Sequence, residues 1–282
     1  MSICYMDGAF RPVGEGSLPI SDLAVQRGVG VFESMKIINK KVLAITSHMK
    51  RLEDSAVSVG MKIEGSGIIE EITKIARDGA CRDDCPGGGK DAVVKAYITG
   101  GDVILHGFFT NPRYFLIFDD GFLVSPEEYC RGVSLQPTAE RRPYPTVKSI
   151  NYLFGLMQAV GRDDVLECLY CPDGYAAETL RSSFFIFREG TIITAPKGTV
   201  LNGVTRNIVI ELALADGFTV EERQAKVSEF ALADEAFITN SLHGVMPVVR
   251  IGDTVVGGGK PGPVSRRLRE LYDANIERWL DN

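Results

Sequence analysis

The apolar period of this chain switches repeatedly between that of a strand and that of a helix, and few architectures can absorb such a pattern. From Val29 to Ile38 the residues read as one long β run, Asn39-Lys40 supplies a turn, and Val42 to Ile45 reads as a return strand. Ser47 then reads as a helix N-cap, because Met49, Leu52, Ala56 and Val59 recur at helical spacing behind it. Short strands precede this block around Ile3 to Phe10. A helix over Gly67 to Ala80 and strands over Ala92 to Thr99 and Tyr114 to Phe118 follow it. The second half predicts a helix from Ile150 to Val160 and strands over Val165 to Tyr170, Phe184 to Phe187 and Thr191 to Ala195. It continues with a helix from Val204 to Ala215, further strands and an amphipathic helix ending at Trp279-Leu280. Sheets covered by helices satisfy both periods, so the fold class expected is α+β (mixed α/β). At 282 residues the chain has room for two domains. The polar segment beginning Asp119-Asp120-Gly121 divides it into an N-terminal α/β domain (1–118), a linker (119–126) and a C-terminal domain (127–282), with the crevice between them as the default ligand site.

Charge and metal-binding residues narrow the function. Only His48, His106 and His243 are present, which leaves almost no material for a multi-histidine metal centre. A net charge of −6 offers no cationic field for nucleic acid or an acidic membrane. Cys81-x3-Cys85 and Cys168-x2-Cys171 could hold zinc if the two pairs met, but both sit among turn residues without the spacing of a zinc ribbon. Buried thiols and no metal site are therefore expected. The opening MSICYMDGAFRP has no basic and apolar signal pattern, and no apolar run approaches a bilayer span, so a cytoplasmic location is expected. The glycine-rich stretches read as turns. Gly258-Gly259-Lys260 is followed by Pro261 rather than Ser or Thr, and Gly28 and Gly30 lack a third glycine, which disfavours a P-loop or dinucleotide site.

Two lysines lie in apolar surroundings, where an amine becomes nucleophilic toward carbonyls. Lys95 falls inside the strand-like run Ala92 to Ile98, and Lys148 inside Pro145-Thr146-Val147-Lys148-Ser149-Ile150. Either alone reads as readily as a structural lysine with its amine at the surface. Downstream, the Asn202-Gly203 turn precedes a helix, so the amides of Val204 and Thr205 and the Thr205 hydroxyl fall where an anion binds. Arg51 could add a bidentate contact to a phosphate, or simply be a surface helix charge. Glu178, in Gly174-Tyr175-Ala176-Ala177-Glu178-Thr179, could be a functional acid or an exposed turn residue.

These signals occur in the motif order of one family. From Arg27-Gly28-Val29-Gly30-Val31-Phe32-Glu33 to Met246-Pro247-Val248 the sequence resembles the fold-type IV pyridoxal-phosphate enzymes. These are the class IV aminotransferases, which include branched-chain and D-amino acid aminotransferases and aminodeoxychorismate lyase. The resemblance implies a D-amino acid aminotransferase-like fold, with a smaller N-terminal α/β sandwich and a larger C-terminal pseudo-barrel, and pyridoxal 5'-phosphate as cofactor. It implies that Lys148 forms the Schiff base with that cofactor, that Arg51 binds its phosphate, and that Glu178 pairs with its pyridine nitrogen. Val204 and Thr205 of Leu-Asn-Gly-Val-Thr-Arg match the phosphate-cradling turn. Ser241, with Asn240 beside it, matches a second phosphate hydroxyl. Tyr152 resembles the tyrosine that approaches the cofactor's phenolic oxygen in branched-chain enzymes.

The family also sets the alternatives. Its D-selective members carry an arginine near Gly100-Gly101 that grips the substrate carboxylate, and Tyr97-Ile98-Thr99-Gly100-Gly101-Asp102 contains none. Lys95 stands where branched-chain enzymes tend to carry arginine, whereas Ile238-Thr239-Asn240-Ser241-Leu242 resembles the lyase. After Glu178 the segment Arg181-Ser182-Ser183 departs from relatives that often place glycine and asparagine there. A transaminase working on branched-chain-like amino acids and 2-oxo acids is the reading adopted. A lyase releasing pyruvate and a non-catalytic cofactor-binding protein are the alternatives. Phe32, Glu33 and Lys95 are the candidates for the substrate face, and the resemblance implies a homodimer.

Overall fold

The computed structural model describes residues 2–280 apart from 90, 121–123 and 159. Contacts divide the chain into two compact units. The first comprises Met1–Phe122, Val147–Asn151 and Ile276–Asn282, and the second Leu123–Thr146 and Tyr152–Asn275. The first unit therefore recruits two segments from beyond residue 126, which no single cut of the sequence expresses. Within the expected linker, 121–123 lie outside the described residues.

In the first unit the strands are β1 (Ile3–Met6), β2 (Ala9–Pro12), β3 (Gly30–Ile38), β4 (Lys41–Val42), β5 (Asp91–Thr99), β6 (Ile104–Leu105), β7 (Phe108–Phe109) and β8 (Arg113–Asp119). Its helices are α1 (Leu23–Arg27), α2 (Ile45–Ser58) and α3 (Ile68–Cys81). Among the described residues six strands form an antiparallel sheet in the order β2-β1-β8-β5-β3-β4. Alternation along β3 and β5 turns Val31, Met35, Ile37, Val94, Ala96 and Ile98 to one face, where they pack with Leu52 of α2 and Ile72 and Ile75 of α3. The opposite face carries Phe32, Tyr97 and Phe115 as cross-strand neighbours.

Two expectations fail here for the same physical reason. Helix α2 begins at Ile45, two residues before the expected cap at Ser47, and the return strand shortens to Lys41–Val42. Ala44 takes the N-cap position in a left-handed conformation, and its N–H donates to the Trp279 carbonyl at 2.7 Å. Similarly, the helix expected over Ile150 to Val160 shrinks to α5, below, because residues 148–150 are extended. Phe32 N–H donates to the Lys148 carbonyl and Ile150 N–H to the Gly30 carbonyl, each at 3.0 Å, completing the open edge of β3. Gly30 permits that approach, since a Cβ there would meet Ile150 Cδ1 at 2.8 Å. In both places long-range backbone pairing overrides a local signal.

The second unit contains α4 (Pro126–Arg131), β9 (Val133–Thr138), α5 (Leu153–Met157), β10 (Glu167–Tyr170), β11 (Ser183–Arg188) and β12 (Thr191–Thr194). It continues through α6 (Val204–Ala215), β13 (Thr219–Glu222), β14 (Glu235–Asn240), β15 (Gly244–Ile251), β16 (Thr254–Val255) and α7 (Pro263–Asn275). A mixed sheet runs β10-β9-β15-β14-β11-β12-β13, with β16 beside β15. Its main core joins Phe184, Ile186, Phe230, Ile238, Met246 and Val248. Glu235 on β14 fastens α7, accepting from the Val264 and Ser265 amides and the Ser265 hydroxyl at 2.7–2.9 Å.

Leu169 and Cys171 pack into that core while Cys168 and Tyr170 pack into a separate cluster on the other side of β10. Cys168 and Cys171 therefore cannot turn to one metal ion. Four cysteines are buried, but Cys81 and Cys130 are exposed free thiols, contrary to the expectation for all six. No described helix is long and apolar enough to cross a membrane.

Candidate active site

The first unit holds Lys148. β3 and α2 position it through backbone atoms, its carbonyl accepting from Phe32 and its N–H donating to the Ser55 hydroxyl at 3.2 Å. The side chain is buried, and its Nζ lies 4.9 Å from the centre of the Phe32 ring. Phe32 heads a ladder in which it stacks on Tyr97 (5.5 Å between centroids) and Tyr97 on Phe115 (4.8 Å). Lys95 shares that face and is bonded to Asp119 Oδ2 at 2.7 Å.

Arg51, on α2, reaches the core face of the sheet. It grips Glu33 bidentately, Nε to Oε1 at 2.7 Å and Nη2 to Oε2 at 2.8 Å, and His48 Nδ1 bonds the same carboxylate at 2.7 Å. Glu33 is fully buried. Burial alone would raise its pKa, but the Arg51 charge and His48 overcome this and hold it well below the usual carboxylate range. Burial lowers the pKa of His48, with Glu33 opposing. The neutral imidazole therefore carries its proton on Nδ1, donated to Glu33. The Glu33 fork fixes the plane of the Arg51 guanidinium. Glu33, expected on the substrate face, instead serves as this anchor on the core face. Its signal was present in the sequence as an acid in phase with Val31, Met35 and Ile37.

The second unit holds the acid and the anion cradle. Glu178 is buried, accepting from Arg142 Nη1 and from the Leu201 amide, each at 3.1 Å. Arg142, missed in the sequence, is itself buried and lies 5.7 Å from the centre of the Tyr152 ring. Helix α6 starts at Val204, as expected, and Gly203 supplies no side-chain cap, so the first-turn amides retain their anion-binding character. Thr205 Oγ1 lies 3.4 Å from Ser241 Oγ.

Asn240, expected beside the phosphate hydroxyl, closes the turn that carries Ser241. Its Oδ1 accepts from the Leu242 and His243 amides, and its Nδ2 donates to Ser182 Oγ at 3.0 Å. Ser182 in turn donates to Glu167 Oε1, whose Oε2 accepts from the Arg181 amide. The unusual Arg181-Ser182-Ser183 segment is thus braced by a buried acid, which ties the Glu178 loop to the Ser241 turn.

The chain is thus a mixed α/β protein whose first unit carries a buried lysine beside β3, and whose second unit carries a buried acid held by an arginine and a helix N-terminus near two hydroxyls. The chain belongs to the class IV aminotransferase family, whose pattern matches residues 30–251. It is 28% identical over 303 residues to branched-chain-amino-acid aminotransferase-like protein 2 of Arabidopsis thaliana, covering 96% of this chain and 49% of that protein. The chain thus spans about half the length of that plant relative. It is also 28% identical to a D-alanine aminotransferase of Bacillus licheniformis, covering 96% of this chain and 95% of that one. The T.th. branched-chain amino acid aminotransferase, solved with pyridoxamine 5'-phosphate, superposes with a TM-score of 0.85 at 26% identity, over 99% of this chain and 97% of the other.

Proposed function

We propose that this chain is a pyridoxal-phosphate-dependent aminotransferase exchanging an amino group between an amino acid and a 2-oxo acid, with branched-chain-like side chains preferred. The observation that carries this reading is Lys148, a buried amine held rigidly by its own backbone in a member of an aminotransferase family. The residues present suit the cofactor: a helix N-terminus with two hydroxyls for a phosphate, and a carboxylate for a pyridinium. When bound, pyridoxal phosphate supplies the electron sink that allows a Cα–H bond to break.

The protein's own residues do the rest. Lys148 attaches the cofactor and, as the amine, moves the proton from the substrate Cα. Glu178, flanked by Arg142, serves as the anion that holds a proton on the pyridine nitrogen. Thr205, Ser241, the Val204 and Thr205 amides, and Arg51 oriented by Glu33 bind the phosphate. Tyr152 would serve the phenolic oxygen of the bound cofactor, and Asn240 shapes the Ser241 turn. The ladder headed by Phe32 offers an apolar wall to a substrate side chain, and Lys95, neutralised by Asp119, adds little charge to it. A homodimer belongs to this reading, supported by the exposed apolar side chains of Leu153, Leu156, Met157 and Val160 on and just after α5. A panel of L- and D-amino acids with 2-oxoglutarate and pyruvate tests the proposal. Turnover of L-valine or L-leucine that is abolished in Lys148→Ala supports it. No amino transfer with any pair, or pyruvate release without a 2-oxo acid acceptor, refutes it.

A further inference from the structure

Tyr129 lies on α4, outside every motif that suggested the function. Its hydroxyl donates to the His243 carbonyl at 2.6 Å. That carbonyl belongs to the three-residue loop Ser241-Leu242-His243, which joins the paired residues Asn240 and Gly244 at the ends of β14 and β15. Gly244 takes φ +65°, the left-handed geometry that lets such a loop re-enter the sheet. Asn240 Oδ1 holds the loop from inside by accepting its Leu242 and His243 amides, and Tyr129 holds it from outside. The phenol is itself firmly placed. The Arg269 guanidinium of α7 lies 3.3 Å from the centre of its ring, and Arg269 pairs with Asp273 at 3.5 Å. A capping box closes α4, the Ser125 amide donating to Glu128 Oε2 at 2.8 Å and the Glu128 amide to the Ser125 hydroxyl at 3.3 Å. The loop so held carries Ser241 Oγ, 3.4 Å from Thr205 Oγ1 in the first turn of α6.

We infer that Tyr129 is a positioning residue for a phosphate monoester at the N-terminus of α6: by fixing the His243 carbonyl, it holds the Ser241 loop where the Ser241 and Thr205 hydroxyls address one anion. This rests on the proposed cofactor reading. A loop tethered on both sides meets the anion already ordered, whereas a loop released on one side must be ordered at each binding event, at an entropic cost. Tyr129 acts through the main chain of the loop, so its influence reaches the anion only by way of Ser241.

The experiment measures cofactor affinity rather than turnover, by titrating apoprotein with pyridoxal 5'-phosphate and following absorbance. Pyridoxal, which lacks the phosphate, serves as the second probe. Tyr129→Phe keeps the ring beneath Arg269 and removes only the hydroxyl. Its dissociation constant for pyridoxal phosphate is expected to rise about fivefold, with pyridoxal unchanged, as for loss of one neutral hydrogen bond. A merely structural lesion would weaken both probes alike. In a Ser241→Ala background the same change should have no effect, since the hydroxyl through which it acts is gone. Equal affinity of wild type and Tyr129→Phe, an equal loss for both probes, or additive effects with Ser241→Ala would each overturn the assignment. If wild type binds neither probe, the cofactor reading falls and takes this inference with it. Thermal protection of apoprotein by inorganic phosphate provides a readout independent of the Schiff base. Protection that is weaker in Tyr129→Phe supports the role, and equal protection refutes it.

Discussion

Replacing Glu33 with glutamine gives the most direct test of the buried charge cluster. The substitution keeps the shape but removes the charge, and turns an amide N–H₂ toward one of the donors that the carboxylate now satisfies. Glu33 is fully buried and the Arg51 side chain is 12% exposed, so the arginine would lose its counter-charge with limited access to water. Breaking a buried pair from one side costs about 3–5 kcal/mol, and partial exposure of Arg51 places this case near 3 kcal/mol, on the order of 100-fold in the folding equilibrium. The assay is built into the chain. Its single tryptophan, Trp279, belongs to the same unit and bonds the N-cap of α2, the helix that carries Arg51. Urea unfolding of apoprotein followed by tryptophan fluorescence should show the lower midpoint. Glu33→Leu combined with Arg51→Met should recover most of the loss, because no charge is then left stranded. A loss below about 0.5 kcal/mol, or a double variant as unstable as Glu33→Gln, would refute the claim that desolvated charge dominates this cluster.

The same cluster predicts acid sensitivity. His48 stays neutral in the fold while its unfolded counterpart protonates below about pH 6.5, so stability should fall as pH drops through that value. The Glu33 contribution is fully present above about pH 4.3 and is lost on further acidification toward its depressed folded pKa. Urea midpoints between pH 8 and 5 should therefore decline in wild type and flatten in His48→Gln, and parallel curves would contradict this. Glu235→Ala should cost about 2–3 kcal/mol by circular dichroism, since two amides of α7 lose their acceptor, and an unchanged melt would argue against it. Ser182→Ala should cost about 1–3 kcal/mol by stranding Glu167 Oε1 and Asn240 Nδ2, and should weaken pyridoxal-phosphate binding through the Ser241 turn. Wild-type affinity in that variant would show that the turn holds without the brace.

Much of this was legible in the residues, and the failures share a cause. The bounds of α6 follow from the Asn202-Gly203 turn and the apolar run behind it, and β3 and β5 from β-rich runs, because those signals are local. The extended course of 148–150 was not legible, since its reason is the unsatisfied edge of β3, more than 100 residues earlier. Ser47 is a good local cap, but Ala44 reaches the Trp279 carbonyl first. Among the candidate site residues, Lys148, Glu178, Val204 and Thr205 came from motif order. Arg142 carried no local signal.

The bond from Ala44 to the Trp279 carbonyl, with Leu43 bridging Leu280, bears on how the molecule is made. Ribosomal synthesis delivers residues 276–280 more than 200 positions after the helix they cap, so α2 must wait with its first turn incomplete while the whole second unit emerges. Loop closure over such a span is entropically slow. During that interval the first unit should be held together mainly by its sheet. A nascent chain stalled before residue 276 should then expose α2 to proteolysis at sites that the finished protein protects.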